Sequence, residues 1–199
     1  MKTTLLPTVI ICPGNSCSNI RQSNWYGQLF EELQNCKIPC VCENFPDPLR
    51  ARRDQWVPFM RSLAEKYSVE NQAENIIIIG HSSGAQASLR YAELYKLHGC
   101  VLVSATYTDL GDANERASGY YPRVSSDGTI TNSYDFEKMR ENCPLWAQFH
   151  SNDDPFIPLN EAERIRDGLK LKDEYTMLPG RSHFFEYSPE LLEAILSMC

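Results

Sequence analysis

No apolar stretch in this 199-residue chain is long enough to cross a bilayer. Its four consecutive isoleucines, Ile76-Ile77-Ile78-Ile79, fall far short of the roughly twenty apolar residues that a span needs. A membrane-embedded protein is therefore not expected. The start, Met1 to Cys12, has no small-x-small cleavage site, and Pro7 interrupts its short apolar part. It reads as a first core strand rather than a secretory signal, and a cytoplasmic location is expected, with the nucleus also open to the chain. Basic residues are outnumbered: 19 Lys and Arg stand against 26 Asp and Glu, for a net charge of -7. That balance excludes a general binder of phosphate backbones or of anionic membrane surfaces. Internal repeats and linker-like segments are also lacking, so residues 1–199 are read as one domain with a substantial core. Cysteine is plentiful, at eight positions, but without a secretory signal free thiols are expected. The cluster Cys36, Cys40 and Cys42 has no second pair at matching spacing, and Cys40-Val41-Cys42 looks like strand. No metal and no cofactor are expected.

What is present is an alternation of strand and helix signals. Strands are expected at Leu5 to Ile11, Ile38 to Cys42, the isoleucine run, Cys100 to Ser104, Leu145 to Phe149 and Glu174 to Leu178. Helices are expected at Asn24 to Leu33, Leu49 to Tyr67 with a break or kink at Pro58, Ala85 to about Leu97, Asp135 to Asn142, Asn160 to Leu169 and Pro189 to Met198. The stretch from Ala105 to about Ser133 reads as irregular. Repeated β-α units imply an α/β fold: a mostly parallel, doubly wound sheet of about six strands with helices on both faces. In such sheets ligands bind beyond the carboxyl ends of the strands, which gathers the loops beginning at Pro13, Gly80, Ala105, His150 and Pro179 on one edge.

One of those loops carries a chemical signature. Gly80-His81-Ser82-Ser83-Gly84 follows the isoleucine strand and precedes a helical sequence, the context of a nucleophile elbow. Ser82 would project from a strained turn, with Gly80 and Gly84 letting strand and helix approach. A serine hydroxyl needs a base, and the chain holds four histidines. His81 adjoins the nucleophile and should point elsewhere, and His98 falls at the wrong end of the sheet. His150 is on the correct edge. His183, after the last strand, fits the chain order serine, acid, histidine and is read as the base. The acid is expected after the preceding strand, where Asp154 opens an Asp-x-x-apolar-Pro pattern; Asp153 is read as a loop cap, and Asp109 and Asp112 are the further alternatives. Oxyanion donors are expected from the amide of Ser83 and from the loop at Gly14 and Asn15. Tyr107, Tyr120, Tyr121, Phe156, Phe184 and Phe185 are candidates to line a substrate pocket, or equally to pack in the core.

Pro13-Gly14-Asn15, Trp25-Tyr26-Gly27, Pro46-Asp47-Pro48, Trp56-Val57-Pro58-Phe59-Met60, Ile78 to Gly84, Asp109-Leu110-Gly111-Asp112, Asn114 to Tyr120, Asn142-Cys143-Pro144 and Asp153-Asp154-Pro155-Phe156 together resemble the retinoblastoma-binding protein 9 family of small serine hydrolases. The resemblance runs over nearly the whole chain. It implies an α/β-hydrolase fold with little or no lid and a triad at Ser82, Asp154 and His183. Two departures stand out. The Leu-x-Cys-x-Glu motif for retinoblastoma protein is absent, so that partner is not implied. The Trp-x-Trp pair usual before the Asn-Cys-Pro helix is replaced by a longer stretch, Val124 to Ser133, followed by Tyr134-Asp135-Phe136.

The expected function is therefore a serine hydrolase of small esters or amides, carboxylesterase-like or acting on aminoacyl esters and amides, through an acyl-enzyme on Ser82. A protein-interaction module with weak or lost turnover is the alternative, and a thioesterase or acyltransferase would share the nucleophile. The expected partner is a small-molecule substrate, with neither nucleic acid nor membrane.

Overall fold

A computed structural model describes residues 5–68 and 74–199; residues 1–4 of the amino-terminal stretch lie outside them. The chain alternates as the sequence suggests: β1 (Thr8–Cys12), α1 (Tyr26–Asn35), β2 (Cys40–Val41), α2 (Arg53–Tyr67), β3 (Ile76–His81), α3 (Ser83–Leu94) and β4 (Gly99–Val103). Then follow α4 (Ala113–Ser118), β5 (Arg123–Val124), β6 (Ile130–Thr131), α5 (Phe136–Asn142), β7 (Leu145–His150), α6 (Leu159–Leu169), β8 (Tyr175–Met177) and α7 (Pro189–Met198). The main sheet has the order β2-β1-β3-β4-β7-β8, and every neighbouring pair in it is parallel.

The isoleucine run shows why the sheet must be covered twice. Successive strand side chains point to opposite faces. Ile76 and Ile78 enter one core with Trp56, Met60, Leu89 and Met139, while Ile77 and Ile79 enter the other with Leu29, Leu33, Leu191 and Ile195. β1 and β4 divide the same way: Ile10, Cys12, Cys100 and Leu102 face the first core, and Val9, Ile11, Val101 and Val103 the second. Burying each isoleucine stabilises the fold by about 2–3 kcal/mol relative to leaving it exposed. Helices α1 and α7 cover one face, and α2, α3, α5 and α6 the other.

Three local expectations are corrected. Of the break or kink expected at Pro58, the break does not occur, and α2 runs through that residue. It lies on the exposed side, so the one carbonyl left without a helical donor, that of Asp54, faces solvent. The second strand is only two residues long, an edge strand held by the register Val9 to Cys40 and Ile10 to Val41. The stretch after β4 is not wholly irregular. Asp112 caps α4 by accepting from the amides of Asn114 and Glu115, Gly119 ends it in the left-handed conformation, and β5 and β6 form a small antiparallel hairpin. Among the described residues no helix is long and apolar enough to cross a membrane.

Candidate active site

The carboxyl ends of β1, β3, β4, β7 and β8 point to one edge, and a cleft of about 490 Å³ opens there. Ser82 sits at the junction of β3 and α3 with φ 53° and ψ -119°, a conformation that costs a residue bearing a Cβ. Its amide donates to the Val103 carbonyl at 2.9 Å, which fixes the turn to β4. The glycines two residues either side are sterically required. A Cβ on Gly84 would strike the backbone carbonyls of Cys12 and Pro13, and one on Gly80 the carbonyl of Gly84 and the hydroxyl of Ser88. The start of α3 is thereby pressed against the loop that follows β1. A Cβ placed on Gly14 would lie 3.4 Å from that of Ser82, so this loop also borders the serine directly.

His183 and Asp154 come from the loops after β8 and β7. His183 Nδ1 lies 2.8 Å from Asp154 Oδ2. A carboxylate in this pairing accepts, so Nδ1 donates and the neutral ring carries its lone pair on Nε2. Asp154 Oδ1 accepts from the amides of Phe156 and Ile157 at 2.9 and 3.0 Å. Burial alone would push this carboxyl up, but the His183 bond and the two amides hold it below the usual carboxylate range. Asp153 is placed differently: it is exposed, and it accepts from the Ser151 hydroxyl and from the Ser182 amide at 3.0 Å, joining the two loops. Asp112 is the cap of α4, and Asp109 pairs with Arg116 at 2.7 Å and accepts from the Gly111 amide, so neither reaches a histidine.

The remaining histidines occupy other roles. His81 is buried, 2.6 Å from the Tyr26 hydroxyl and 2.8 Å from the His183 carbonyl. His150 is buried against the Ile157 carbonyl at 3.1 Å, and His98 reaches the Met198 carbonyl at 2.7 Å. Burial pushes the imidazoles of His81 and His150 down, that of His81 to about 3.

Ser83, Asn15 and Gly14 all border the cleft beside Ser82. The Gly14 amide is engaged, donating to the Tyr26 hydroxyl at 2.8 Å, and the Ser16 amide donates to the Pro48 carbonyl at 2.7 Å. Asn15 lies between these two anchors. Of the aromatic candidates, Tyr121, Phe156 and Phe185 line the cleft. Tyr107, Tyr120 and Phe184 do not: Tyr107 meets Tyr134 edge to face and stacks with Phe136, Tyr120 is fully buried in the first core, and Phe184 packs in the second.

Several contributors were not singled out as site residues in the sequence. Glu115, on α4, accepts from the Asn15 side chain at 3.3 Å and from the Tyr121 hydroxyl at 2.6 Å, tying the cleft wall to the loop after β1. Glu161, on α6, turns one carboxylate oxygen to the amides of Tyr107 and Thr108 and to the hydroxyls of Thr106 and Thr108, shaping the loop after β4. Arg90, fully buried on α3, donates to the carbonyls of Tyr120, Asn132 and Ser133, and holds the segment between α4 and α5 in place. The Trp25-Tyr26-Gly27 motif was the only hint of Tyr26.

A family model described as serine hydrolase matches residues 9–188. A curated relative, serine hydrolase RBBP9 of Rattus norvegicus, is 39% identical over 193 residues, covering 95% of this chain and 94% of the relative. Among solved structures, the ydeN gene product of B. subtilis superposes with a TM-score of 0.77 at 21% identity, over 96% of this chain and 98% of its own. Est1E of Butyrivibrio proteoclasticus superposes with a TM-score of 0.66 at 14% identity, over 99% and 90%.

Proposed function

The chain belongs to the serine hydrolase family, and from that premise we propose that it cleaves small ester or amide substrates through an acyl-enzyme on Ser82. The observation that carries the reading is the 2.8 Å bond from His183 to Asp154 in the cleft where Ser82 occupies its strained turn. The Ser82 oxygen attacks the substrate carbonyl carbon as its proton passes to His183 Nε2. Asp154 stabilises the imidazolium and holds the ring. The amides of Ser83 and Asn15 face the developing oxyanion, and Gly14 supports that loop from behind. Collapse of the tetrahedral intermediate expels an alcohol or amine, which takes the proton from His183. Water, deprotonated by the same imidazole, then attacks the acyl ester and returns Ser82.

The cleft supports a small substrate. Leu110, Tyr121, Phe156 and Phe185 give it apolar walls. Asp109, paired with Arg116, and Asp112 and Glu115 also line it, and among the described residues no lysine or arginine does. This acidic wall supports the aminoacyl variant of the reading, in which a substrate ammonium group lies near the carboxylates. Labelling with a fluorophosphonate probe, competed by a panel of acyl and aminoacyl esters, tests the assignment. The folded chain is expected to label; a folded chain that stays unlabelled would favour an interaction module instead.

The pH profile is a second expected result. The base must be unprotonated, so kcat/KM should rise through a single deprotonation and then level off. His81 and His150 are pushed toward the neutral form by burial and so change charge only at lower pH. A rate flat from about pH 5 to 8, the range in which histidines ordinarily titrate, would point to another base.

A further inference from the structure

The Gly14 amide, the Tyr26 hydroxyl, the His81 ring and the His183 carbonyl form one buried hydrogen-bonded chain behind the nucleophile, joined at Tyr26 by the exposed Asn24 side chain, and it has a single possible direction. The Gly14 amide lies 2.8 Å from the Tyr26 oxygen, and the Asn24 side-chain nitrogen lies 3.0 Å from it. The same oxygen lies 2.6 Å from His81 Nδ1, and His81 Nε2 lies 2.8 Å from the His183 carbonyl. Both ends are fixed by chemistry: a backbone amide only donates and a carbonyl only accepts. Facing the carbonyl, Nε2 must carry the proton. A neutral ring then bears its lone pair on Nδ1, so the Tyr26 hydroxyl donates to His81 and uses its own oxygen to accept from Gly14 and Asn24. A protonated His81 would offer Nδ1–H to an oxygen already accepting twice, with the phenol proton left unplaced. Burial reinforces the neutral form, and Tyr26 and His81 are both essentially without solvent exposure.

The chain joins the loop bearing Gly14 and Asn15 to the loop bearing His183, through a residue adjacent to Ser82. We propose that the Tyr26 hydroxyl, oriented by His81, is a positioning group for the oxyanion site: by holding the Gly14 amide, it sets the Asn15 amide beside Ser82. The inference rests on reading Ser82 as the nucleophile. Its reach is specific. The phenol ring packs against Trp25 at 4.7 Å between centroids and belongs to the second core, so packing is served by the ring alone. Among the described residues the hydroxyl bonds to the Gly14 amide, the Asn24 side chain and His81.

Tyr26→Phe keeps the ring and removes the oxygen. Loss of one oxyanion donor outright costs about 10²–10³ in kcat, and a displaced donor costs less. The expected result is kcat about 10- to 100-fold lower, KM within about twofold, and a boronic acid inhibitor weakened by the same factor as kcat. The boronate is the discriminating probe, because its tetrahedral adduct places an oxygen where the oxyanion forms. A variant with wild-type kcat and boronate affinity, whatever its melting temperature, overturns the proposal. The ring nitrogen shifts of His81 in the unmodified protein provide a second arm independent of the variant's folding: a lone pair on Nδ1 is expected, and a proton there overturns the chain's direction. Failure of the underlying reading looks different. If the wild type fails to turn over any ester and Ser82 takes no probe, both fall together; if Ser82 is essential and Tyr26→Phe is normal, only the positioning role falls.

Discussion

Ser82→Ala should lower kcat for ester hydrolysis by on the order of 10⁴ or more while the protein stays folded. The size follows from the hydroxyl being the atom that forms the acyl bond; without it only a preorganised cleft remains. The fold should survive because, among the described residues, the hydrogen bonds Ser82 makes are those of its backbone. The Val103 carbonyl is bonded by the Ser82 amide, and the helix start by the Ser82 carbonyl, both of which alanine retains. Ser82→Gly sharpens the comparison. At φ 53° and ψ -119° a side chain is strained, so glycine should be as stable as the wild type or more so, by about 1 kcal/mol, and equally inactive. Circular dichroism melts and kcat on one ester check both variants. Substantial turnover by folded Ser82→Ala would sink the assignment of the nucleophile.

Asp154→Asn should be nearly as damaging, at about 10⁴-fold, and Asp153→Asn should not. Both substitutions remove one negative charge from the same loop, so long-range electrostatics nearly cancel between them. Their local bonds differ. Asp154 meets His183 Nδ1 at 2.8 Å and takes the amides of Phe156 and Ile157 on its other oxygen. An amide in its place can present either an acceptor or a donor to Nδ1, and it does not stabilise the imidazolium. Asp153 is exposed and ties Ser151 to the Ser182 amide. Losing that solvent-screened bond is expected to change kcat severalfold at most. A dead Asp153→Asn beside an active Asp154→Asn would reverse the roles. If both stay active, the acid lies elsewhere.

The residues the sequence exposed are those whose reasons are local. The isoleucine run declares a strand covered on both faces because four β-branched side chains in succession serve two cores at once. The glycines around Ser82 stand out because strand and helix meet there too closely for a Cβ. Asp154 could be placed above Asp153 from the Pro and apolar residues that follow it. What the sequence concealed depends on distant partners or on single-residue changes in direction. Tyr26 looks like one more apolar position on an amphipathic helix; its meaning lies in His81, 55 residues away. Phe184 and Phe185 are indistinguishable as letters, yet Phe184 adopts φ 51°, and it enters the core while Phe185 borders the cleft. Tyr120 and Tyr121 part in the same way. Helix α4 escaped notice because six residues leave no periodicity, though its Asp112 and Gly119 caps were in plain view.

The order of the strands also bears on how the chain assembles as it is made. β1 is synthesised first, but its long partner is β3, with Thr8 to Cys12 aligned on Ile76 to Gly80; before β3 appears it has only the two-residue β2. Ribosomes add about 5–20 residues per second, so the apolar Val9-Ile10-Ile11 segment waits several seconds without the neighbour that completes its ladder. Such long-range parallel pairing is slow by nature, and it leaves a strand edge open to other chains meanwhile. Nascent chains halted before Ile76 should therefore be captured by chaperones or aggregate, whereas those released after β4 can already close the centre of the sheet.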